Sequence, residues 1–415
     1  MPDTVDAFVV SQGEELLTGL TTDTNASWLA ERLTHAGFRV CGMETAGDDP
    51  EAIAATLRRA ADAAPVVICT GGLGPTGDDH TAEAVARAFG RELVLFDDAW
   101  EQVQARYARI GRSISPSNRK QAVLPTGSTV VENLQGTAPG FAIDGPDDQR
   151  LWFLPGVPRE MKAMVDTLVL PDAIARFQPT APLRHLFRVM GRGESQLQDQ
   201  LGAVETRWPG VGLGFQTKMP ENHVKLTAPP GTEGWDEAVQ WVREQLGDHS
   251  FSEDPSESLG ARVGAMLEAR EELLAVAESC TGGWVAHLLV TEPGSSSYLD
   301  RGFVTYSNRA KTEELGVPAA LIEEHGAVSE EVARAMAVGA RERAGVDWGL
   351  STTGVAGPGG GTPEKPVGTV WIAVAGPAGV HARKLRLSRD RTMNRKFSAW
   401  LALEMLRRQI LRAGV

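Results

Sequence analysis

The chain has 415 residues and a mass of 44.4 kDa, room for two or three domains. Hydrophobic residues at 42% and charged residues at 23% exclude a disordered chain, and the longest apolar run, 370–375 (VWIAVA), is far below the roughly 18 residues of a membrane span. A net charge of −13 disfavours general nucleic-acid binding, though a local basic patch stays open.

The opening MPDTVD has neither a basic region nor a long apolar stretch, so no leader is expected. Three widely spaced cysteines, Cys41, Cys69 and Cys280, make neither a disulfide framework nor a CxxC metal site. A reducing cytoplasm is the expected compartment. Only eight lysines stand among the 41 basic residues, so a lysine in a loaded position carries more weight.

In chain order, 7–11 reads as a buried strand. A helical pattern over 25–36 stops at Gly37, and 38–43 is a second strand. Helical 50–63 leads to a third strand, 66–70, which runs straight into a glycine-rich turn. Strands alternating with helices predict a parallel sheet covered on both faces, with ligands beyond the carboxyl ends of its strands. Two loops leave those ends, 13–20 and 71–79. Further on, 141–144 and 150–154 flank GPDDQ as a hairpin, and about 175–250 reads as a small α+β insert.

A last unit opens near Ser256, read as the cap of a helix over 257–269. Strand 273–278, helix 282–291 and strand 302–306 follow. Ser329 caps a helix to about Ala344, 348–352 and 369–375 are strands, and 394–411 is a closing helix.

Residues 277–283 (AESCTGG) join a strand to a helix, where a turn gathers main-chain N–H groups and the positive end of a helix dipole. Ser279 and Thr281 there are either helix caps or a nucleophile and a ligand donor. Lys311 falls at a second strand end and 353–361 (TGVAGPGGG) at a third, so three loops share one sheet edge. A serine nucleophile needs a base, and none of the eight histidines lies in these loops. His325 is the nearest in sequence. A lysine kept neutral by burial can serve instead. Cys280 is the rival nucleophile, since a thiol at a helix N-terminus has a lowered pKa.

The stretch from 256 to 411 resembles the CinA C-terminal domain, a nicotinamide mononucleotide (NMN) deamidase, through AESCTGG, GSSS at 294–297, GFVTYSNRAK, GAVSEEVARAMA, TGVAGPGGGTPEKPVGTVW and Arg389-Asp-Arg391. The resemblance implies a serine amidohydrolase with Ser279 and Lys311 as its dyad, assisted by Tyr306, and no cofactor. Thr281, Gly282, Gly283 and the Gly354 loop are then expected to supply oxyanion donors. Gly357, Gly359 and Arg391 are expected to meet the 5′-phosphate.

In the first domain, 70–79 (TGGLGPTGDD) joins glycines able to approach a phosphate with two adjacent carboxylates able to hold a hard divalent cation. A tight turn with a capping pattern, Thr76-x-x-Asp79, ahead of helix 81–89 accounts for the residues equally well. Residues 1 to about 170 resemble the MoaB/MogA-like molybdopterin-binding domain as it occurs in CinA, through GEELL at 13–17, Asp23-x-Asn25, GGLGPTGDD, GTAPG at 136–140 and LPGVPREM at 154–161. That implies metal-dependent ADP-ribose pyrophosphatase activity, with Mg or Co at Asp78, Asp79 and Glu14, and Gly71, Gly72, Gly74, Thr76 and Asn25 at the substrate. No Nudix box is present.

The expected fold class is α/β. It has a MoaB/MogA-like three-layer domain (1–172), a small α+β middle domain (173–252) and an α/β deamidase domain (256–415). The expected protein is a cytoplasmic homodimer acting on NMN and ADP-ribose, without membrane or direct nucleic-acid partners. The alternatives are a molybdopterin-binding module and a competence or damage-response scaffold.

Overall fold

The computed structural model describes residues 4–414; residues 1–3, where the expectation of no leader begins, and residue 415 lie outside it. The chain divides into two compact units, residues 1–183 with 229–231, and residues 184–228 with 232–415.

The first unit is built on a six-stranded sheet. Its strands are β1 (Asp6–Gln12), β2 (Arg39–Ala46), β3 (Val66–Thr70), β4 (Thr129–Val131), β5 (Gly140–Asp144) and β6 (Arg150–Leu154), in the order β2-β1-β3-β6-β5-β4. The first four in that order are parallel, β5 runs opposite to them, and β4 pairs antiparallel with β5, so the sheet is mixed rather than purely parallel. β3 is buried throughout, which explains its unbroken apolar run. One face packs Ile53 and Leu57 of α2 (Pro50–Ala63) and Val85 of α3 (Thr81–Phe89). The other packs Leu29 and Leu33 of α1 (Thr24–His35) with Met161 and Met164. This is the three-layer α/β arrangement expected from the sequence.

α1 and α2 begin at Asp23 and Asp49, whose carboxylates accept the N–H of Ala26 and Ala52. The loop pattern before α3 works differently. Asp79 turns back onto Thr76, and α3 starts at His80 without a side-chain cap.

The second unit contains two sheets. The smaller is antiparallel where its pairings are defined, from β7 (Leu183–Val189), β8 (Gly212–Lys218), β9 (Glu221–Ala228) and β10 (Ser250–Ser252), in the order β8-β9-β7-β10. The larger holds β11 (Leu274–Glu278), β12 (Leu299–Val304), β13 (Trp348–Gly354), β14 (Thr369–Gly376) and β15 (Gly379–Arg386), in the order β12-β11-β13-β14-β15. β12, β11 and β13 are parallel, while β14 and β15 run antiparallel. The carboxyl ends of the three parallel strands therefore meet at one edge. Around them are α4 (Trp284–Val290), α5 (Asn308–Leu315), α6 (Glu330–Ala344) and α7 (Arg391–Arg412).

Boundaries shift where local chemistry decides them. Ser258, not Ser256, caps the helix Leu259–Glu268, because Ser256 is held by Asp254. α4 starts two residues later than the periodicity suggests, since Gly282 and Gly283 both have positive φ. β12 stops at Val304, leaving Thr305 and Tyr306 outside the strand. α7 starts at Arg391, capped by Asp390. No helix among the described residues is long and apolar enough to cross a membrane.

α6 lies so close on β13 that a Cβ at Gly349 would stand 2.0 Å from the Ala337 carbonyl oxygen. Gly349→Ala is therefore expected to destabilise the protein by about 1–3 kcal/mol, read from the urea midpoint. Gly214→Ala, at a strand position facing open space, is the near-neutral control.

Candidate active site

At the carboxyl end of β11, Glu278 is the last strand residue and is buried. Its Oε2 accepts the main-chain N–H of Gly283 at 2.9 Å and of Val285 at 3.1 Å, and its Oε1 accepts that of Ala286 at 2.8 Å. One carboxylate thus satisfies three N–H groups at the start of α4, where negative charge is favoured. Sequence reading missed Glu278. Its only signal was a carboxylate ending an otherwise apolar strand.

Closure of that turn sets Ser279. Its N–H donates to the Thr352 carbonyl at 3.0 Å, and Thr281 Oγ1 lies 2.6 Å from Thr352 Oγ1, tying the turn to the neighbouring β13. Lys311 arrives from α5, whose N-cap is Ser307. Its Nζ stands 3.1 Å from Ser279 Oγ and 2.9 Å from the Thr305 carbonyl oxygen. Lys311 is 1% exposed and Ser279 8%. No carboxylate pairs with Lys311 among the described residues, and burial lowers its pKa below the ordinary lysine range.

The rival nucleophile does not survive this geometry. Burial pushes the Cys280 thiol up to about 12, and Glu278 already takes the N–H groups that were expected to favour a thiolate. His325 closes another helix, with its ring beside Glu324 and Glu331. The expected oxyanion donors are also redistributed. The Gly282 N–H donates to the Ser279 carbonyl and the Gly283 N–H to Glu278, while Gly354 is paired within the sheet. The N–H groups of Cys280 and Thr281 have no acceptor among the described residues, and they are the donors left free beside Ser279.

Tyr306, Arg391 and Gly357 come together. Arg391 donates to the Gly357 carbonyl at 2.5 Å and to the Tyr306 hydroxyl at 3.0 Å, and Tyr306 is 61% exposed. Gly359 faces open space in the same loop. Two neighbours on α7 went unmarked in the sequence. Arg395 donates to the Thr281 carbonyl at 2.9 Å, and Asn394 to the Ala356 carbonyl at 3.0 Å. The first turn of α7 therefore clasps both the Ser279 turn and the glycine loop.

In the first unit, the loop after β3 is packed from within. A Cβ at Gly71 would meet the Gln12 carbonyl at 2.4 Å, and one at Gly74 the Asp79 carboxylate at 2.5 Å. Thr81 Oγ1 donates to Gln12 Oε1 at 2.7 Å and to the Gly71 carbonyl at 2.8 Å. Asn25 reaches this edge, donating to the Gly156 carbonyl at 2.8 Å, and its Oδ1 is buried without a partner. The N–H groups of Gly72 and Gly74 have no acceptor among the described residues.

The Thr76 hydroxyl shares its proton between Asp78 and Asp79, and its bond to Asp78 is the largest influence holding that carboxyl below the usual carboxylate range. Lys120, which the sequence did not single out, donates to the Thr76 carbonyl at 2.7 Å. Glu14 departs from expectation. It leans toward Gly47 and Asp48, and no group of three His, Cys, Asp or Glu side chains able to hold a metal forms among the described residues. An exposed carboxylate, Asp78, beside a half-buried one, Asp79, suits a hard cation that draws its other ligands from water and phosphate, not one caged by protein alone.

The family described as "CinA C-terminal domain" matches residues 256–410, and "Probable molybdopterin binding domain" matches residues 8–174. A CinA-like protein of Desulfosudis oleivorans is 43% identical over 98% of this chain and 100% of its own length. One of Citrifermentans bemidjiense is 45% identical over 97% of each. A crystal structure of CinA from Thermoplasma acidophilum is 33% identical, covering 40% of this chain and 98% of its own, with a TM-score of 0.38.

Glu278→Gln keeps the shape of the side chain but turns an amide N–H₂ toward main-chain N–H groups. It is expected to cost about 1–3 kcal/mol in chemical denaturation, because a buried donor is left unpaired. A variant as stable as the parent would mean that those N–H groups find other acceptors.

Proposed function

The chain belongs to the CinA family, and from that premise we propose that it is a two-site hydrolase of pyridine nucleotide breakdown products. In this reading the second unit converts NMN to nicotinate mononucleotide and ammonia, and the first cleaves ADP-ribose to AMP and ribose 5-phosphate. The observation that carries the deamidase reading is the 3.1 Å approach of an unpaired, buried Lys311 amine to Ser279 Oγ.

Ser279 Oγ attacks the carboxamide carbon of NMN, and its proton passes to the neutral Lys311 amine. Lys311 gives that proton to the departing nitrogen, so ammonia leaves and an acyl ester remains on Ser279. Water adds to the ester, loses its proton to Lys311, and the proton returns to Ser279 Oγ as the carboxylate product departs. The free N–H groups of Cys280 and Thr281 are the proposed donors to the oxyanion. Arg391, beside Tyr306 and the Gly357 loop, is the proposed contact for the 5′-phosphate.

For the first unit, the proposed pyrophosphate contacts are the Gly72 and Gly74 N–H groups with Lys120. Asp78 and Asp79 would hold Mg or Co, which when bound supplies Lewis-acid charge at the phosphates. The match of 8–174 to a molybdopterin binding domain favours a second reading of this unit, as a pterin-binding module. Calorimetric titration with molybdopterin separates the two, since the hydrolase reading expects no saturable heat.

Ser279→Ala is expected to lower ammonia release from NMN by roughly 10³-fold or more with an unchanged unfolding midpoint. Full turnover in that variant would sink the dyad.

The pH dependence follows from the buried amine. Only neutral Lys311 accepts a proton, so the rate rises as pH climbs through its lowered pKa, and this limb lies below the ordinary lysine value of about 10.4. Lys311→Arg, which stays charged, is expected to be inactive across the whole range. For the first unit, EDTA is expected to stop AMP release from ADP-ribose, and added Mg²⁺ or Co²⁺ to restore it in the parent but not in Asp79→Ala.

A further inference from the structure

A cavity of about 430 Å³ lies away from the Ser279 turn, between the smaller sheet of the second unit and the C-terminal half of α7. Its charged walls are Arg383 from β15 and Glu404, Arg408 and Arg412 from α7, with His249 and Gly191 opposite. Leu401, Met405 and Ala382 supply apolar surface.

Among the described residues one carboxylate, Glu404, lines the cavity beside three arginines, with His381 and Gln409 as further polar walls. Glu404 is buried and already receives Arg407 Nε at 2.7 Å, Arg407 Nη2 at 2.9 Å and Arg408 Nε at 2.6 Å. One carboxylate facing two guanidiniums leaves a positive charge over. Arg383 and Arg412 have no ion-pair or hydrogen-bond partner among the described residues. The surplus sits on a chain whose net charge is −13.

His249 faces two arginines. Arg192 Nε donates to its Nε2 at 3.2 Å, and Arg408 Nη2 stands 3.0 Å from its Nδ1. A neutral imidazole accepts at one ring nitrogen only. With the proton on Nδ1, directed at the Met190 carbonyl 3.2 Å away, Arg408 meets an N–H. With the proton on Nε2, Arg192 does. In either tautomer the ring accepts from only one of the two arginines, and Arg408 Nη2 also reaches the Met190 carbonyl at 3.4 Å. Protonation offers no relief, since burial, Arg408 and Arg192 all hold the His249 pKa down. A Cβ at Gly191 would stand 3.7 Å from Arg408 Nη2, so a glycine there keeps the approach to the guanidinium open.

We propose that this cavity is a binding site for a small phosphate monoester, its dianion held by Arg383, Arg408 and Arg412 and its uncharged body against Leu401 and Met405. Guanidinium groups match phosphate oxygens in paired hydrogen bonds, and a phosphate dianion balances the guanidinium charge that Glu404 leaves over. The apolar surface and the volume exceed what bare phosphate fills, which is why the ligand carries a body.

The test uses the full chain and its Arg383→Glu/Arg412→Glu variant, both substitutions being at exposed positions. Tungstate, a phosphate mimic located by its anomalous scattering, is expected within hydrogen-bond reach of Arg408 in crystals of the parent and absent from the variant. Calorimetric titration with glycerol 2-phosphate is expected to show a site weakened tenfold or more in the variant, while ammonia release from NMN is unchanged. A cavity free of tungstate, or equal affinity in the two proteins, would overturn the site. Inorganic phosphate binding the parent as tightly as glycerol 2-phosphate would overturn the monoester.

Discussion

A lysine amine sealed from water without a carboxylate beside it is held in a state that water would not favour. Removing an ammonium from water costs several kcal/mol, and the group lowers that cost by giving up its proton. Lys311 is in this position, with a hydroxyl and a carbonyl as its side-chain partners among the described residues. The surroundings follow from the constraint. The Ser279 turn must be rigid, α5 must start where its fourth residue faces inward, and nothing acidic can approach.

Glu278, next to Ser279 in the chain, is the acidic group of the turn, and its carboxylate points to main-chain N–H groups. Its carboxylate is committed to three N–H groups at the start of α4, so its charge is spent closing the turn. The same interaction removes the helix N-terminus as a source of activation for Cys280, whose thiol is pushed up to about 12 by burial. In a turn carrying both a serine and a cysteine, it is the serine hydroxyl that lies within hydrogen-bond reach of the Lys311 amine. α7 adds a second restraint, since Arg391, Asn394 and Arg395 reach both loops from one helical turn.

The two units use the same architectural rule with different contents. In each, parallel strands deliver loops to their carboxyl edge, where main-chain groups are free and side chains converge. In the second unit the edge is buried and holds an amine and a hydroxyl. In the first it is more open, and two carboxylates and Lys120 gather around Thr76. Buried base chemistry suits an amide, and carboxylates open to solvent on one side suit a hydrated cation with a charged substrate.

The sequence alone determined the α/β class and the strands that end in chemistry, while the pairing of Ser279 with Lys311 came from the resemblance to the CinA C-terminal domain. Apolar runs meeting glycines are local signals, and rare lysines stand out. Tertiary structure decided what depends on distant partners. Which N–H groups stay free beside Ser279 turned on Glu278. The choice of Ser258 over Ser256 as a cap turned on Asp254. The departure of Glu14 from Asp78 and Asp79 turned on the turn at Gly47, and Arg395 and Lys120 entered their sites from segments far along the chain. The hairpin of 141–144 and 150–154 was legible from its turn, but the antiparallel course of β14 was not, because a buried strand reads as the same apolar run whichever way it points. Spacing along a chain reports which face a residue occupies. It carries no record of what lies opposite, and hydrogen bonding and burial are decided there.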